Sequence, residues 1–391
     1  MYLLRHARLV LPGGVVDDGR LAVDGEWITE LGSGANGGPH PDIKVVDLTG
    51  YVVVPGFVDI HVHGGGGASF GADLEQARRV VEFHRGHGTT TSIASTVTMA
   101  LPELERAVEA LSGLVQDGLL AGIHLEGPFI SKARCGAHDP ALLREPEEQV
   151  VGRLLKRGHG AVKMVTLATE LTGGLRAVRQ LTDNGVIAAL GHTDSSYEQA
   201  REAINAGVTV ATHLFNAMRG LHHREPGPIA AMLESETVAV ELVNDGHHLH
   251  DAAVELAFQA AGHSRVSLIT DAMSAAGAGD GRYELGPLAV QVTDGVARLA
   301  DNGSIAGSTL TMDAAFRRAV LVNGIPLEQA AVAAATTPAR VLGIDDLVGS
   351  LEVGKRADLV VLDEGLNVVG VMSRGRWLTD VPSPLTTADA Q

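Results

Sequence analysis

A rhythm constrains this chain more than any other feature. Eight short runs rich in β-branched and aliphatic residues recur, most of them separated by helix-like stretches. The runs are GFVDIHVH, TTTSIAST, AGIHLEG, VKMVTLA, VIAALGH, VTVATH, VAVELVND and VSLITDA, and the segments between them include DLEQARRVVEFHRGHG and SSYEQAREAINAG. Strands alternating with helices imply a parallel sheet, and eight such units imply a closed (β/α)8 TIM barrel. The alternative is an open doubly wound sheet. That fold commonly carries a GxGxxG turn after its first strand, and none follows here.

The two chain ends have a different character. LAVDGEWITELG alternates apolar and polar residues around Asp24-Gly25, a hairpin turn signal, and IKVVDLTGYVVVPG is again strand-like. Between them SGANGGPHP reads as a turn-rich loop. Near the other end, VGSLEVGKRADLVVLDEGLNVVGVMSRGRWL reads as several short strands, and the tail LTTADAQ as frayed. β-segments at both ends commonly pair into one small domain. The expected fold is therefore α/β: a barrel over residues 55–345 with a small β-sandwich formed by residues 1–54 and 346–391.

Composition narrows the function. Of the 391 residues 45% are hydrophobic, enough for a large core and against disorder. Aromatic residues are only 3%, a poor basis for stacking on nucleic acid. The net charge of −17 repels nucleic acid and anionic membranes, so a phosphorylated substrate needs a local group of positive residues. The single cysteine, Cys135, excludes an intramolecular disulfide and fits a reducing cytoplasm. No signal peptide and no membrane-spanning helix are read from the sequence.

The polar residues that carry chemistry fall at strand ends. His61 and His63 end the first run, Glu126 the third, His192 the fifth, His213 the sixth and Asp271 the eighth. In a barrel these ends converge on one face. Imidazole and carboxylate suit Zn²⁺, Fe²⁺ or a similar divalent ion. In His61-Val62-His63 the alternation of side chains puts both rings on one side of the strand. Glu126 has two oxygens and can bridge two ions, with His192 and His213 completing a second position. An ion with an open position holds water and lowers its pKa to about 7. A lone His-x-His is weak evidence and a lone strand-end histidine is more often structural; the full set at successive strand ends is not. Asp271 reads either as a helix N-cap or as the carboxylate that takes a proton from that water and gives it to a leaving amine.

With these residues in view the chain resembles the amidohydrolase superfamily: PGFVDIHVHG follows an N-terminal β-segment, and GSLEVGKRADLVVLD comes late. HLEGPFI, GHTDSS, THLFNAM, HHREPG, NDGHHLH, LITDAMS and IAGSTLTM are similar to the N-acetylglucosamine-6-phosphate deacetylase family over nearly the whole chain. The resemblance implies a homodimer of barrels. It implies hydrolysis of the acetamide of N-acetylglucosamine 6-phosphate to glucosamine 6-phosphate and acetate, in amino-sugar catabolism and cell-wall recycling. By position it implies Glu126, His192 and His213 as principal metal ligands, Asp271 as proton acceptor and donor, and His138 as the group that polarises the acetyl carbonyl. It places Ala137, Asn216, Ala217, Asp245, His248, Ile305, Ala306 and Gly307 against the substrate. It makes Arg224 a phosphate-binding residue that reaches across the dimer interface. Family members with a Gln-x-Asn-like pair in place of His61 and His63 bind one ion, so the intact pair implies two, zinc first, with iron, manganese or cobalt as alternatives.

The residues themselves are less sharp. Arg224 lies among His222, His223 and Glu225, a rare basic cluster in an acidic chain; it reads as a planar fork for phosphate oxygens or as a surface ion pair. His138 reads as a donor to a developing oxyanion or as a loop residue in water. Of His247, His248 and His250 at most two can face a substrate. Cys135, beside Lys132 and Arg134, reads as a bland loop cysteine or as a lid contact. The rival functions are another amidohydrolase, acting on an unphosphorylated sugar or a cyclic amide, and a non-catalytic barrel that serves as a scaffold.

Overall fold

The computed structural model describes residues 1–34 and 43–382. Most of the SGANGGPHP loop and the whole of LTTADAQ lie outside these residues. The chain divides into two compact units, one of residues 1–59, 84–91 and 312–391 and the other of residues 60–83 and 92–311.

The eight runs form one sheet in chain order: Phe57–Asp59, Thr89–Thr96, Gly122–Glu126, Val162–Leu167, Ile187–Leu190, Val208–Ala211, Ala239–Val243 and Val266–Ile269. The pairings from the second strand to the eighth are all parallel. Helices connect them, as at Leu74–Gly86, Tyr197–Ala206 and Asp251–Ala261. The main chain joins the exits of the last and first strands, since the N–H of Asp271 donates to the carbonyl of His61 at 2.8 Å. This is a TIM barrel. Local signals set its elements. Ser196 caps Tyr197–Ala206 through Gln199 N–H while the Gln199 side chain accepts from Ser196 N–H, a complete capping box.

Both chain ends build a second sheet. Its order is Arg376–Trp377, Val368–Ser373, Leu359–Leu362, Val52–Pro55, Tyr2–Leu11, Gly14–Asp24 and Trp27–Ser33, with Lys44–Asp47 also paired to Tyr2–Leu11. Asp24 pairs with Trp27 across a two-residue turn in which Gly25 takes the left-handed conformation, φ 57°, that the Asp-Gly signal requires. Leu4, Leu21, Ile28, Val53, Leu359 and Met372 pack together as its buried core.

One element was absent from the sequence reading. Residues 281–299 form a three-stranded antiparallel meander, Gly281–Leu285, Leu288–Thr293 and Val296–Leu299. Its signals, the alternation in YEL and AVQVT and the turns Gly286-Pro287 and Asp294-Gly295, are present but short. They follow a run of strands that each lead into a helix.

Candidate active site

The fold brings the strand-end residues into one buried cluster. His61 is fully buried, and His63, Glu126, His192, His213 and Asp271 are all less than 8% exposed. Three of them leave the strands with unusual backbone: His192, His213 and Asp271 have φ of 47°, 28° and 49°. Non-glycine residues rarely adopt this left-handed region, which costs about 1–3 kcal/mol at each position. The sharp turn swings each side chain off its strand and over the barrel mouth.

Four imidazoles point the same atom at the centre. Nε2 of His61 lies 3.1 Å from Nε2 of His63, and Nε2 of His192 lies 3.0 Å from Nε2 of His213. Glu126 sits between the pairs. Its Oε1 is 2.9 Å from His213, 3.2 Å from His192 and 3.4 Å from His61, while its Oε2 is 3.1 Å from His63. Asp271 Oδ1 is 3.1 Å from His63 Nε2.

The opposite edge of three of these rings shows what the nitrogens are for. Nδ1 of His61 faces Glu241 Oε2 at 3.0 Å, Nδ1 of His63 faces the Ser95 carbonyl at 3.3 Å, and Nδ1 of His192 faces the Arg134 carbonyl at 2.9 Å. Those partners only accept, so Nδ1 carries a hydrogen in each ring, and whenever the ring is neutral its lone pair lies on Nε2. Lone pairs facing each other near 3 Å repel unless positive charge lies between them. The donor atoms of His61, His63, Glu126 and Asp271 all lie within 4.8 Å of one another, as do those of Glu126, His192 and His213. This nitrogen and oxygen set fits a divalent metal ion.

Burial and the charges of the cluster set its proton affinities. Burial opposes charge on His63, yet hydrogen bonds to Asp271 and Glu126 hold its pKa at about 9. Burial pushes His192 down to about 4, despite its bond to Glu126. Burial also opposes charge on Glu126 and Asp271, but the field of His61 and bonds from neighbouring imidazoles keep both well below the usual carboxylate range.

His138 plays a different part. Its Nδ1 accepts from the backbone N–H of Thr98 at 3.3 Å and lies 2.8 Å from Thr98 Oγ1. In the neutral ring the hydrogen then sits on Nε2, which points at the Glu126 side of the site, 3.4 Å from Oε2. His138 is thereby a donor into the pocket. Its loop approaches the cluster through Gly136, where φ is 56° and a Cβ would lie 3.1 Å from the His192 ring. Arg134 and Arg219 both pair with Asp194, at 2.9 and 3.0 Å, and brace the same loop.

A cavity of about 310 Å³ opens over the cluster. Ala137, Asn216, Ala217, His248, Ile305 and Gly307 line it together with His138, Asp271 and the ligand-type residues His63, Glu126, His192 and His213. Ala306 is fully buried and does not line it. Asp245 stands behind, its Oδ2 2.7 Å from His248 Nδ1, which leaves His248 Nε2 4.0 Å from Asp271 Oδ2. His250 instead caps the helix Asp251–Ala261. Arg224 is exposed, donates to His223 Nε2 at 2.8 Å, and lies outside the cavity wall. Cys135 is half-buried and does not line it either.

Two supporting residues were missed in the sequence. Glu241 and His124 are fully buried. His124 bridges Ser95 Oγ at 2.9 Å and Thr166 Oγ1 at 2.8 Å beneath the cluster, and burial followed by the field of His61 pushes its pKa well down. The signal for both was their inward register on strands otherwise filled with aliphatic residues.

The pattern of the amidohydrolase family matches residues 52–378. An N-acetylgalactosamine-6-phosphate deacetylase of Escherichia coli O157:H7 is 37% identical over 380 residues, covering 96% of this chain and 98% of that protein. An N-acetylglucosamine-6-phosphate deacetylase of Vibrio furnissii is 36% identical over 333 residues, covering 84% of this chain and 83% of its own. The solved structure of an N-acetyl-D-glucosamine-6-phosphate deacetylase mutant from Mycobacterium smegmatis, in complex with N-acetyl-D-glucosamine-6-phosphate, shares 45% identity at a TM-score of 0.93, covering 97% of this chain and 99% of that one.

Proposed function

The chain belongs to the amidohydrolase family, and on that premise we propose that it hydrolyses the acetamide of N-acetylglucosamine 6-phosphate, releasing glucosamine 6-phosphate and acetate. The observation that carries this reading is the buried convergence of four imidazole Nε2 atoms on Glu126 and Asp271 at the floor of a sugar-sized cavity. The relatives whose names state this activity cover most of the chain.

His61, His63, Glu126 and Asp271 would hold one divalent ion, and Glu126, His192 and His213 a second. A bound ion supplies Lewis acidity and makes water nucleophilic at neutral pH. We assign zinc first, a nitrogen and oxygen donor set being usual for it, with iron, manganese and cobalt as alternatives that share these donors.

The chain's own residues do the rest. His138 donates from Nε2 to the acetyl oxygen as negative charge gathers there. Asp271 accepts a proton from the attacking water and returns it to the amine as the carbon–nitrogen bond breaks. Asn216 spends its amide N–H groups on the carbonyls of His213 and Leu214, at 3.2 and 3.3 Å, so its side-chain oxygen is left for the ligand. His248, steered by Asp245, faces the sugar, and Ala137, Ala217, Ile305 and Gly307 complete the wall.

Arg224 binds the 6-phosphate. Because it lies outside the cavity of its own chain, we assign it to the neighbouring subunit's site in a homodimer. A single cysteine and a phosphorylated substrate suit the cytoplasm, where we place the protein; no helix among the described residues is long and apolar enough to cross a membrane.

The test is acetate release from N-acetylglucosamine 6-phosphate with and without chelator, beside the unphosphorylated sugar. Equal efficiency on both sugars would refute phosphate selectivity. The galactosamine relative at 37% identity favours one second reading, the C4 epimer as substrate, and the same assay on N-acetylgalactosamine 6-phosphate separates the two.

A further inference from the structure

The catalytic cavity has a neighbour. A second cavity of about 430 Å³ shares two lining side chains with it, His63 and Leu285. These two residues therefore form the partition between the spaces. On the catalytic side two large aliphatic side chains, Leu285 and Ile305, stand among the histidines and carboxylates. The other side is mixed, with Phe70, Val97, Met99 and Pro287 lining it beside Gln76, Glu103, Arg106 and Glu284; of these, Val97 packs in one cluster with Leu285 at the partition.

Leu285 is held in place. It ends the first strand of the meander and pairs with Leu288 across the Gly286-Pro287 turn. It is 7% exposed and packs in one cluster with Val97 and Met273. The turn itself rests on the barrel: at Gly286, where φ is 55°, an added Cβ would lie 2.7 Å from Val97 Cγ2. The partition is thus pinned by the main chain on one side and by packing on the other.

The reacting acyl carbon must sit at His63, Glu126 and Asp271, the groups that do the chemistry. An acyl chain that runs from that carbon past His63 meets the partition. We propose that Leu285 sets the acyl length the enzyme accepts: it seats the methyl of an acetyl group and blocks longer chains. With its side chain shortened, the second cavity becomes a subsite for straight aliphatic acyl groups. This inference rests on the deacetylase reading above. The chemistry is unchanged, water cleaving the amide to an amine and the longer carboxylate.

The experiment compares kcat/KM for N-acetyl- and N-butyryl-glucosamine 6-phosphate in the wild type, Leu285→Ala and Leu285→Val, by release of free amine. Metal content and cooperative thermal unfolding are followed in each. One methylene in an apolar pocket is worth about 10- to 200-fold in discrimination, so the wild type is expected to prefer acetyl by at least about a hundredfold. Leu285→Ala should cut that preference about tenfold or more, and Leu285→Val part of the way, both at wild-type metal content. If Leu285→Ala fails to unfold cooperatively, Leu285→Val decides. A wild-type preference near one, or an unchanged preference in the folded variants, overturns the inference alone. Wild-type protein inactive on both substrates sinks the deacetylase reading and this inference with it.

Discussion

One carboxylate oxygen serves two residues of the buried cluster: Oε2 of Glu241 lies 3.0 Å from Nδ1 of His61 and 3.1 Å from the backbone N–H of His213. Glu241 itself does not line the cavity. It acts through His61, fixing which ring nitrogen carries the hydrogen, and through the turn that aims His213. Replacing such an outer partner costs roughly 10- to 100-fold in metal affinity. Glu241→Gln keeps the shape but weakens the acceptor, so chelator competition should show a loss of that order with the fold intact. Wild-type ion retention would remove Glu241 from the account.

Asp271 should separate binding from turnover. Its Oδ1 touches His63, but four imidazoles and Glu126 remain as donors without it. Asp271→Asn is expected to keep most of the bound metal and to lower kcat by roughly 10²- to 10⁴-fold, the usual worth of a positioned acid–base group. Metal analysis and steady-state kinetics on the same preparation check this, and near-normal turnover would exclude the proton-transfer role.

Much of this site was legible in the sequence, because a barrel makes position on a strand equivalent to position in space. His61, His63, Glu126, His192, His213 and Asp271 each stand at or just beyond the end of a strand, and topology alone predicts their meeting. What strand ends could not reveal was orientation. That His192 owes its tautomer to the Arg134 carbonyl depends on a loop with no periodic signal. That Glu241 faces inward depends on register within a strand whose neighbours Val240 and Leu242 are equally buried. The meander escaped because its three strands are short, and because a chain of alternating strands and helices gives no reason to expect a hairpin there.

Protons should leave when the metal arrives. His63 has a pKa of about 9, burial notwithstanding, because Asp271 and Glu126 favour its charged form. At pH 7.5 the metal-free protein therefore carries a proton on His63, which ligation must expel. Titration calorimetry in buffers of different ionisation enthalpy should detect proton release, and apparent metal affinity should weaken as pH falls below about 9. The stability of chelated protein has the matching sign. A folded pKa above the unfolded value of about 6.5 contributes stability that is complete below pH 6.5 and fades as pH approaches 9. The gap in Tm between loaded and chelated protein should widen over that interval. A pH-independent gap would show that His63 is neutral before the metal binds.

Arg224 offers the sharpest test of assembly. Its guanidinium is exposed and rests against His223, outside the cavity that it is proposed to serve. An arginine that acts on its own site and one that acts on a neighbour's give opposite results when two damaged chains are mixed. Arg224→Ala should raise KM for the phosphorylated substrate about tenfold to a hundredfold, the worth of hydrogen bonds to a charged group, and leave the unphosphorylated sugar little affected. Asp271→Asn should be nearly inactive on both. In a mixed dimer the site that keeps Asp271 lies on the Arg224→Ala chain, and it receives an intact arginine only from across the interface. Random reassociation of equal amounts makes half the dimers mixed, each with one complete site, so activity should recover to roughly a quarter of wild type in a closed two-fold dimer. No recovery after verified subunit exchange would place the phosphate contact within a single chain, or on another residue.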